Sequence, residues 1–385
     1  MSMTDTDRKS PAPFVPVPAG NTATGILKLI ALVFMFIDHS GKVLFNNMTE
    51  MRTLGRIAFP IYIWCMVVGF YRTRNVTRYL IRIMLVGLVS QPLYLFALDY
   101  QGHLGVLWQN TFRPLADGFS FPALWEVLYT IFMAKPNIFL TLLMGLLALC
   151  AIREKDWLKK AWIPGSFVLV MALLAFIHDK RFDPIFQKIS GPFAGGFTVG
   201  ALWEAVKVIF WNVPNYFFLI VAGAGLLWQF SGKGRRMGQI WGPVAMILLA
   251  TVLKVDYGWR GVLFFILIYA AQNSRPALAA VMVSFLLFWG SIYSVTASLL
   301  GEKIKIELLP DSLSGVLRVV NGYKVYDGPV PSLLRSETYA LMGLPLILIR
   351  FPKDLRLPKW LSYLLYPGHL ILLIVLKIII FGWSA

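Results

Sequence analysis

Apolar runs approaching the length of a membrane span recur through nearly the whole chain, and this repetition limits the fold more than any single motif. Crossing the hydrocarbon of a bilayer takes ~20 predominantly apolar residues in a helix. About eleven stretches approach that length, at 24–45, 54–71, 79–98, 137–152, 163–177, 214–230, 239–254, 258–273, 276–298, 337–350 and 361–382. Several are short, so a count of ten fits ~20 residues per span as well as eleven does. The runs are continuous, without the alternation in ~10-residue segments that marks a transmembrane β-barrel. A soluble chain has no reason to be 58% hydrophobic and 15% aromatic, with a mean hydropathy of +0.68, over 385 residues. The predicted fold is therefore all-α, a polytopic transmembrane helix bundle.

Charge sets the expected orientation. The net charge of +17 suggests a polyanionic partner at first sight, but Lys and Arg gather in short connections between apolar runs. Arg72, Arg74, Arg78 and Arg82 follow the second run, and Arg153, Lys155, Lys159 and Lys160 follow the fourth. Lys233, Arg235 and Arg236 follow the sixth, Arg275 the eighth, and Arg350, Lys353, Arg356 and Lys359 the tenth. Basic connections on every second loop are the positive-inside pattern, which explains the excess without nucleic acid. The N-terminus is thus predicted to be cytoplasmic. Residues 1–23 read as a disordered cytoplasmic tail, and 24–385 as a single transmembrane domain. Outer excursions fall near 99–136, 178–213 and 296–336. The first holds Trp108, Trp125 and Glu126, the second an amphipathic piece at 197–211, and the third possible strands. No internal repeat is visible, so the inverted-repeat signature of secondary transporters is missing. Cys65 and Cys150 lie inside apolar runs and read as packing residues, with no disulfide framework and no metal spacing. No metal is expected.

Within this frame one span stands out. Ile26 to Lys42 reads ILKLIALVFMFIDHSGK, with Lys28 near one end and Asp38-His39 near the other. An ionised group at the centre of a membrane helix costs ~2.5–3.5 kcal/mol on insertion scales, so such groups have partners, snorkel to an interface or serve a purpose. An offset of eleven residues returns to nearly the same helix face, roughly 16 Å further along the axis. Leu32 and Met35 lie on the stripe between Lys28 and His39. Asp38, being adjacent in sequence to His39, points about 100° away and is expected to pair with a basic group on another helix, with Arg56 or Arg260 as candidates, or to help bind an acceptor amine. Arg56 is placed at the outer membrane edge, where Pro60 would kink the second span.

The run LKLIALVFMFIDHSGKVLF, followed by LGRIAFPIYIW, GFYRTRN and RYLIRIMLVGLVSQP, closely resembles the TraX family. Shorter blocks continue it: NIFLTLLMG at Asn137 to Gly145, DYGWRGVL at Asp256 to Leu263, and LSYLLYPGHLILL at Leu361 to Leu373. Arg260 stands where the resemblance leads one to expect an aromatic residue. The name-giving member of the family acts in conjugation, acetylating the N-terminus of the F pilin subunit in the inner membrane. More distantly the chain is similar to multi-span membrane acyltransferases that modify surface glycans. In that group a basic residue and a histidine, with ten residues between them, sit on the first span, and Lys28 and His39 reproduce the spacing.

The resemblance implies an inner-membrane, multi-pass acetyltransferase. Its donor is acetyl-CoA, and its partners are membrane lipid and a pilin subunit or another envelope acceptor. His39 has a suitable intrinsic pKa for the base that takes the acceptor's proton, with Asp38 beside it. Lys28, Arg72, Arg74, Arg78 and Arg82 are candidates to hold the donor, since guanidinium forks match phosphate oxygens. Plain positive-inside topology explains the same arginines. Arg56, Tyr257, Arg260 and His369 are candidates for the acceptor side, with His369 as a wall of the reaction chamber. Three alternatives stay open: acetylation of a surface glycan or lipid hydroxyl, a proton-coupled transporter or flippase using Asp38-His39 as a relay, and a non-catalytic subunit of an envelope assembly.

Overall fold

The computed structural model describes residues 18–98, 104–116, 118–178, 190–212, 224, 235–299, 336–355 and 357–382. These form fifteen α-helices joined by turns and short 3-10 segments, with no strand among the described residues. In chain order they are α1 (Thr24–Val43), α2 (Thr49–Gly55), α3 (Ala58–Arg72), α4 (Val76–Leu98), α5 (Leu104–Phe112), α6 (Phe121–Phe132), α7 (Ile138–Arg153), α8 (Trp157–Lys160), α9 (Trp162–His178), α10 (Val199–Asn212), α11 (Arg235–Val252), α12 (Gly258–Ala271), α13 (Arg275–Leu299), α14 (Leu344–Leu348) and α15 (Lys359–Phe381). Three stretches are long and apolar enough to cross a membrane by themselves: Thr49–Arg72, Val76–Leu98 and Trp360–Phe381. Several shorter apolar helices accompany them. The molecule is a helical membrane bundle, as the recurring apolar runs require. The expected sixth span, at 214–230, lies outside the described residues apart from residue 224, and so does the excursion at 296–336 apart from residues 296–299 and 336.

The centre of the bundle is α7. Every residue from Leu140 to Ala151 is buried, which is the pattern of a helix surrounded on all sides. Around it pack α3, α4, α11 and α12, while α15 lies on α4 and α1, and α13 closes against α12. α7 starts where Asn137 caps it, its side chain accepting from the Phe139 N–H at 3.0 Å. The same asparagine donates to the Gly87 carbonyl, and its own N–H donates to Gln91 Oε1 at 2.8 Å. Gln91 in turn donates to the carbonyls of Ile131 and Lys135. Two buried amides thus fasten α4, α6 and α7 at one end without leaving a polar atom orphaned in an apolar setting.

At the opposite end the basic connections come together. Arg153 donates to the Phe70 carbonyl, joining the ends of α7 and α3. Arg275 and Arg350 donate to the Ala19 carbonyl. Asp354 accepts from the Gly25 and Ile26 N–H groups and caps α1. This changes the expectation for the tail: residues 18–23 are packed rather than disordered. Asn21 is fully buried, its amide donates to the Leu346 carbonyl, and Trp64 Nε1 donates to its carbonyl at 2.6 Å.

One further expectation changes. The run at 337–350 forms a 3-10 segment, Ser336–Gly343, followed by the five residues of α14. At ~2.0 Å and ~1.5 Å of rise per residue it spans roughly 24 Å, less than the ~30 Å of a hydrocarbon core. It is a broken span, and its first turn carries Glu337 inward. The excursion at 99–136 contains helices α5 and α6, and the amphipathic piece near 197–211 is helix α10.

Candidate functional site

Proline 60 explains how the site is opened. A proline ring cannot coexist with the carbonyl four residues earlier in a continuous helix. That carbonyl belongs to Arg56, and there the second span breaks into α2 and α3. Across the break the bonds tighten: Arg56 N–H donates to the Thr53 carbonyl and Ile57 N–H to that of Leu54, both at 3.2 Å. Pro60 itself then sits in the first turn of α3, where its missing N–H costs nothing. The kink expected near Pro60 is thus a two-residue interruption that turns Arg56 toward the bundle interior.

The turn between α1 and α2 brings the next group. Asn46 and Asn47 adopt left-handed conformations, φ 47° and 62°, which asparagine tolerates better than most side chains. α2 then folds back along α1, and Gly55 packs directly on Asp38. A Cβ at Gly55 would overlap the Asp38 side chain, so only glycine fits there. This close approach sets Arg52 Nε 3.5 Å from Asp38 Oδ1 as an ion pair. Arg56 pairs with Glu337 Oε1 at 3.6 Å and reaches the Tyr257 hydroxyl at 3.5 Å. Tyr257 caps α12 in a left-handed conformation (φ 40°) and stacks on Phe59 with ring centroids 3.7 Å apart. A bulky residue in that region is strained, and such strain concentrates at functional sites.

Opposite these ions, His39 of α1 meets His369 of α15. His39 Nδ1 lies 3.0 Å from His369 Nε2, and the rings stack with centroids 5.2 Å apart. Two neutral imidazoles bond only if one donates and the other accepts, so the pair shares a single proton along this contact. That leaves Nε2 of His39 as its free nitrogen. Tyr366 lies edge-on to His369 at 4.9 Å. A cavity of about 90 Å³ joins the two halves, and its wall includes His39, Asp38, Lys42, Arg52, Arg56, Asp256, Tyr257 and Tyr366. Asp256, on the turn between α11 and α12, keeps an exposed surface, yet protein surrounds it closely. That enclosure pushes its carboxyl up to about 6, with Arg56 and Lys42 pulling it down and Asp38 and Glu337 pushing it up.

The structure therefore brings together Asp38, His39, Arg56, Tyr257 and His369 from the sequence-derived set. It does not bring in the others. Arg260 shares the turn with Tyr257 but places its guanidinium over the Trp259 ring, 5.2 Å from the centroid. Lys28 lies beyond Met35, where the cavity stops. Arg72, Arg74, Arg78 and Arg82 are exposed at the far end of the bundle. Four wall or neighbouring residues escaped sequence reasoning: Lys42, Arg52, Asp256 and Glu337. Signals existed for two of them. Arg52 and Arg56 are four apart on what reads as one helix face, and Glu337 is an acid at the edge of an apolar run. Among the described residues no group of three or more His, Cys, Asp or Glu side chains is placed to hold a metal ion.

Comparison with known proteins finds similarity over part of the chain. Residues 23–116 match the family described as TraX protein, so the resemblance carried by the sequence blocks holds for α1 to α5, the stretch with Asp38, His39, Arg52 and Arg56. A 72-residue stretch is 33% identical to the probable fimbrial assembly protein FimC, serogroup H1, of Dichelobacter nodosus. That alignment covers 18% of this chain and 30% of the relative. No solved structure matches. Ile138, Asp256, Tyr257 and Tyr366 of the cavity wall lie outside the family match, as do the neighbouring His369 and Glu337, so most of the wall falls within the matched stretch.

Proposed function

We propose that this chain is an inner-membrane acyltransferase that moves an acetyl group from acetyl-CoA to an acceptor in the cell envelope, with a pilin-type N-terminal amine as the first acceptor to test. The observation that carries this reading is the part-buried His39–His369 pair beside a small cavity lined by charged side chains. The TraX match over 23–116 and the likeness to a protein named for fimbrial assembly support a pilus-related setting. In this reading His39 Nε2 takes the proton of the acceptor N–H as its nitrogen attacks the thioester carbonyl. The C–S bond breaks, and the departing thiolate receives the proton. His369 holds the His39 ring in one tautomer and orientation, and the Arg56 guanidinium and Tyr257 hydroxyl are the donors nearest a developing oxyanion. Asp38, tied to Arg52, fixes α2 against α1 and stays out of the proton path. The exposed arginines Arg72, Arg74, Arg78 and Arg82, together with Lys28, hold the nucleotide end of the donor.

The test uses membranes containing the protein, radiolabelled acetyl-CoA, and a panel of pilin, glycan and lipid acceptors. The native chain is expected to transfer label, while His39→Ala does not. Equal transfer by both removes His39 as the base. Absence of transfer across the whole panel, with substrate movement driven by a proton gradient instead, favours the relay alternative.

A further inference from the structure

The described residues enclose a second cavity, larger than the polar one. It measures about 330 Å³ and lies between α4, α6, α7 and α9. Met84, Leu88, Phe132, Leu140, Phe167 and Val170 are among its lining. The two amides at its edge, Gln91 and Asn137, are occupied with each other and with backbone carbonyls, so its interior offers nothing to a polar ligand. The outer faces of the helices beside it expose Leu85 (50%), Val89 (64%), Val170 (51%) and Leu173 (54%). In a membrane protein such a face meets hydrocarbon, and the cavity opens from it. Trp125, which lines it at the α6 end, donates its Nε1–H to His178 Nδ1 at 3.2 Å, and Glu126 lies 3.8 Å from His178 Nε2, so polar groups stand next to that end.

An apolar body with polar groups next to one end fits an amphiphile, and the volume decides which kind. At ~30 Å³ per water-sized group, the space holds on the order of ten such groups. A transmembrane peptide helix, ~10–12 Å across with its side chains, does not fit. We propose that this cavity is a binding site for one aliphatic chain of a bilayer phospholipid. Its position gives the site a relation to the histidine pair. Phe139 lines it and packs edge-on against Tyr366 at 4.6 Å, while Tyr366 lines the polar cavity. Two aromatic rings therefore separate the chain from His369. Binding does not depend on the acyl-transfer reading.

The full-length protein, reconstituted in phosphatidylethanolamine–phosphatidylglycerol vesicles, is irradiated with a phospholipid carrying a diazirine near the end of one chain, and adducts are mapped by mass spectrometry. Adducts are expected to concentrate in residues 83–91, 139–143 and 167–174. Val170→Trp, a filling change at a half-exposed position, is expected to reduce them about tenfold, equivalent to ~1.4 kcal/mol of lost binding. Leu174→Phe serves as a second filling variant, and unchanged labelling of the outer face of α15 at Ile379 and Ile380 reports that each variant is folded. Adducts spread evenly over all outward helices and unaffected by either variant overturn the proposal. So does a photoactivatable long-chain acyl-CoA that labels these peptides more strongly than the phospholipid.

Discussion

At the scale of the residue, the two histidines are not equivalent. Each gives one ring nitrogen to their contact, but His39 lines the polar cavity and His369 does not. In the acyl transfer proposed above, removing the first in His39→Ala is expected to lower the rate by about 10²–10⁴, the usual span for a lost general base. His369→Gln, which retains a polar group on α15, is expected to lose less, and the same labelled-donor assay ranks the two. Asp256 makes a separate prediction about pH. Its folded-state carboxyl titrates at about 6, above the ~3.9 of an unfolded aspartate. Between those values the native state binds more protons than the unfolded one, so stability is lost as pH rises through that window. The thermal midpoint is expected to decline from about pH 4 to about pH 6, and Asp256→Asn is expected to lack that part of the decline. His39 and Asp38 were legible because ionisable groups are conspicuous in an apolar helix. Asp256 was not, because beside Tyr257 in the same DYGW block it reads as an ordinary loop acid. Its role emerges only when α11 and α12 carry it to the cavity.

At the scale of the element, two short devices hold the first span in place. Gly55 lets α2 lie on Asp38 without a gap, so Gly55→Ala forces a methyl group into occupied space. A loss of ~1–3 kcal/mol is expected, as in other overpacked contacts, read as a lower midpoint in detergent. Asp354 caps the other end of α1, and Asp354→Ala is expected to cost ~1 kcal/mol by the same measurement, with smaller effect on catalysis than on stability. Apolar length identified α1, α3, α4, α7, α9, α11, α12, α13 and α15 within a few residues, because a membrane rewards continuous hydrophobic runs, and it passed over the shorter α2, α5, α6 and α8. It failed at 337–350, where Gly343 and Pro345 permit a 3-10 turn and Glu337 finds Arg56 inside the bundle. Local hydropathy carries no record of such a partner. The break at Arg56 lay closer to view, since Pro60 excludes the carbonyl four residues before it, yet the resulting placement of Arg56 depends on Glu337 and Tyr257 from distant parts of the chain.

At the scale of the molecule, the bundle is joined beginning to end. Asn21 is bonded to the Leu346 carbonyl, the start of α1 to Asp354, and His39 to His369. Overall architecture was legible because each span is a local fact. The histidine pair was not, because its two members are 330 positions apart and no periodicity links them. That separation also has a meaning in time. At ~5–20 residues per second of synthesis, His39 waits roughly 15–70 s in the membrane before its partner is made. Through that interval the first span carries its histidine without the imidazole that later shares its proton. The histidine pair therefore comes into being only when α15 has joined the bundle.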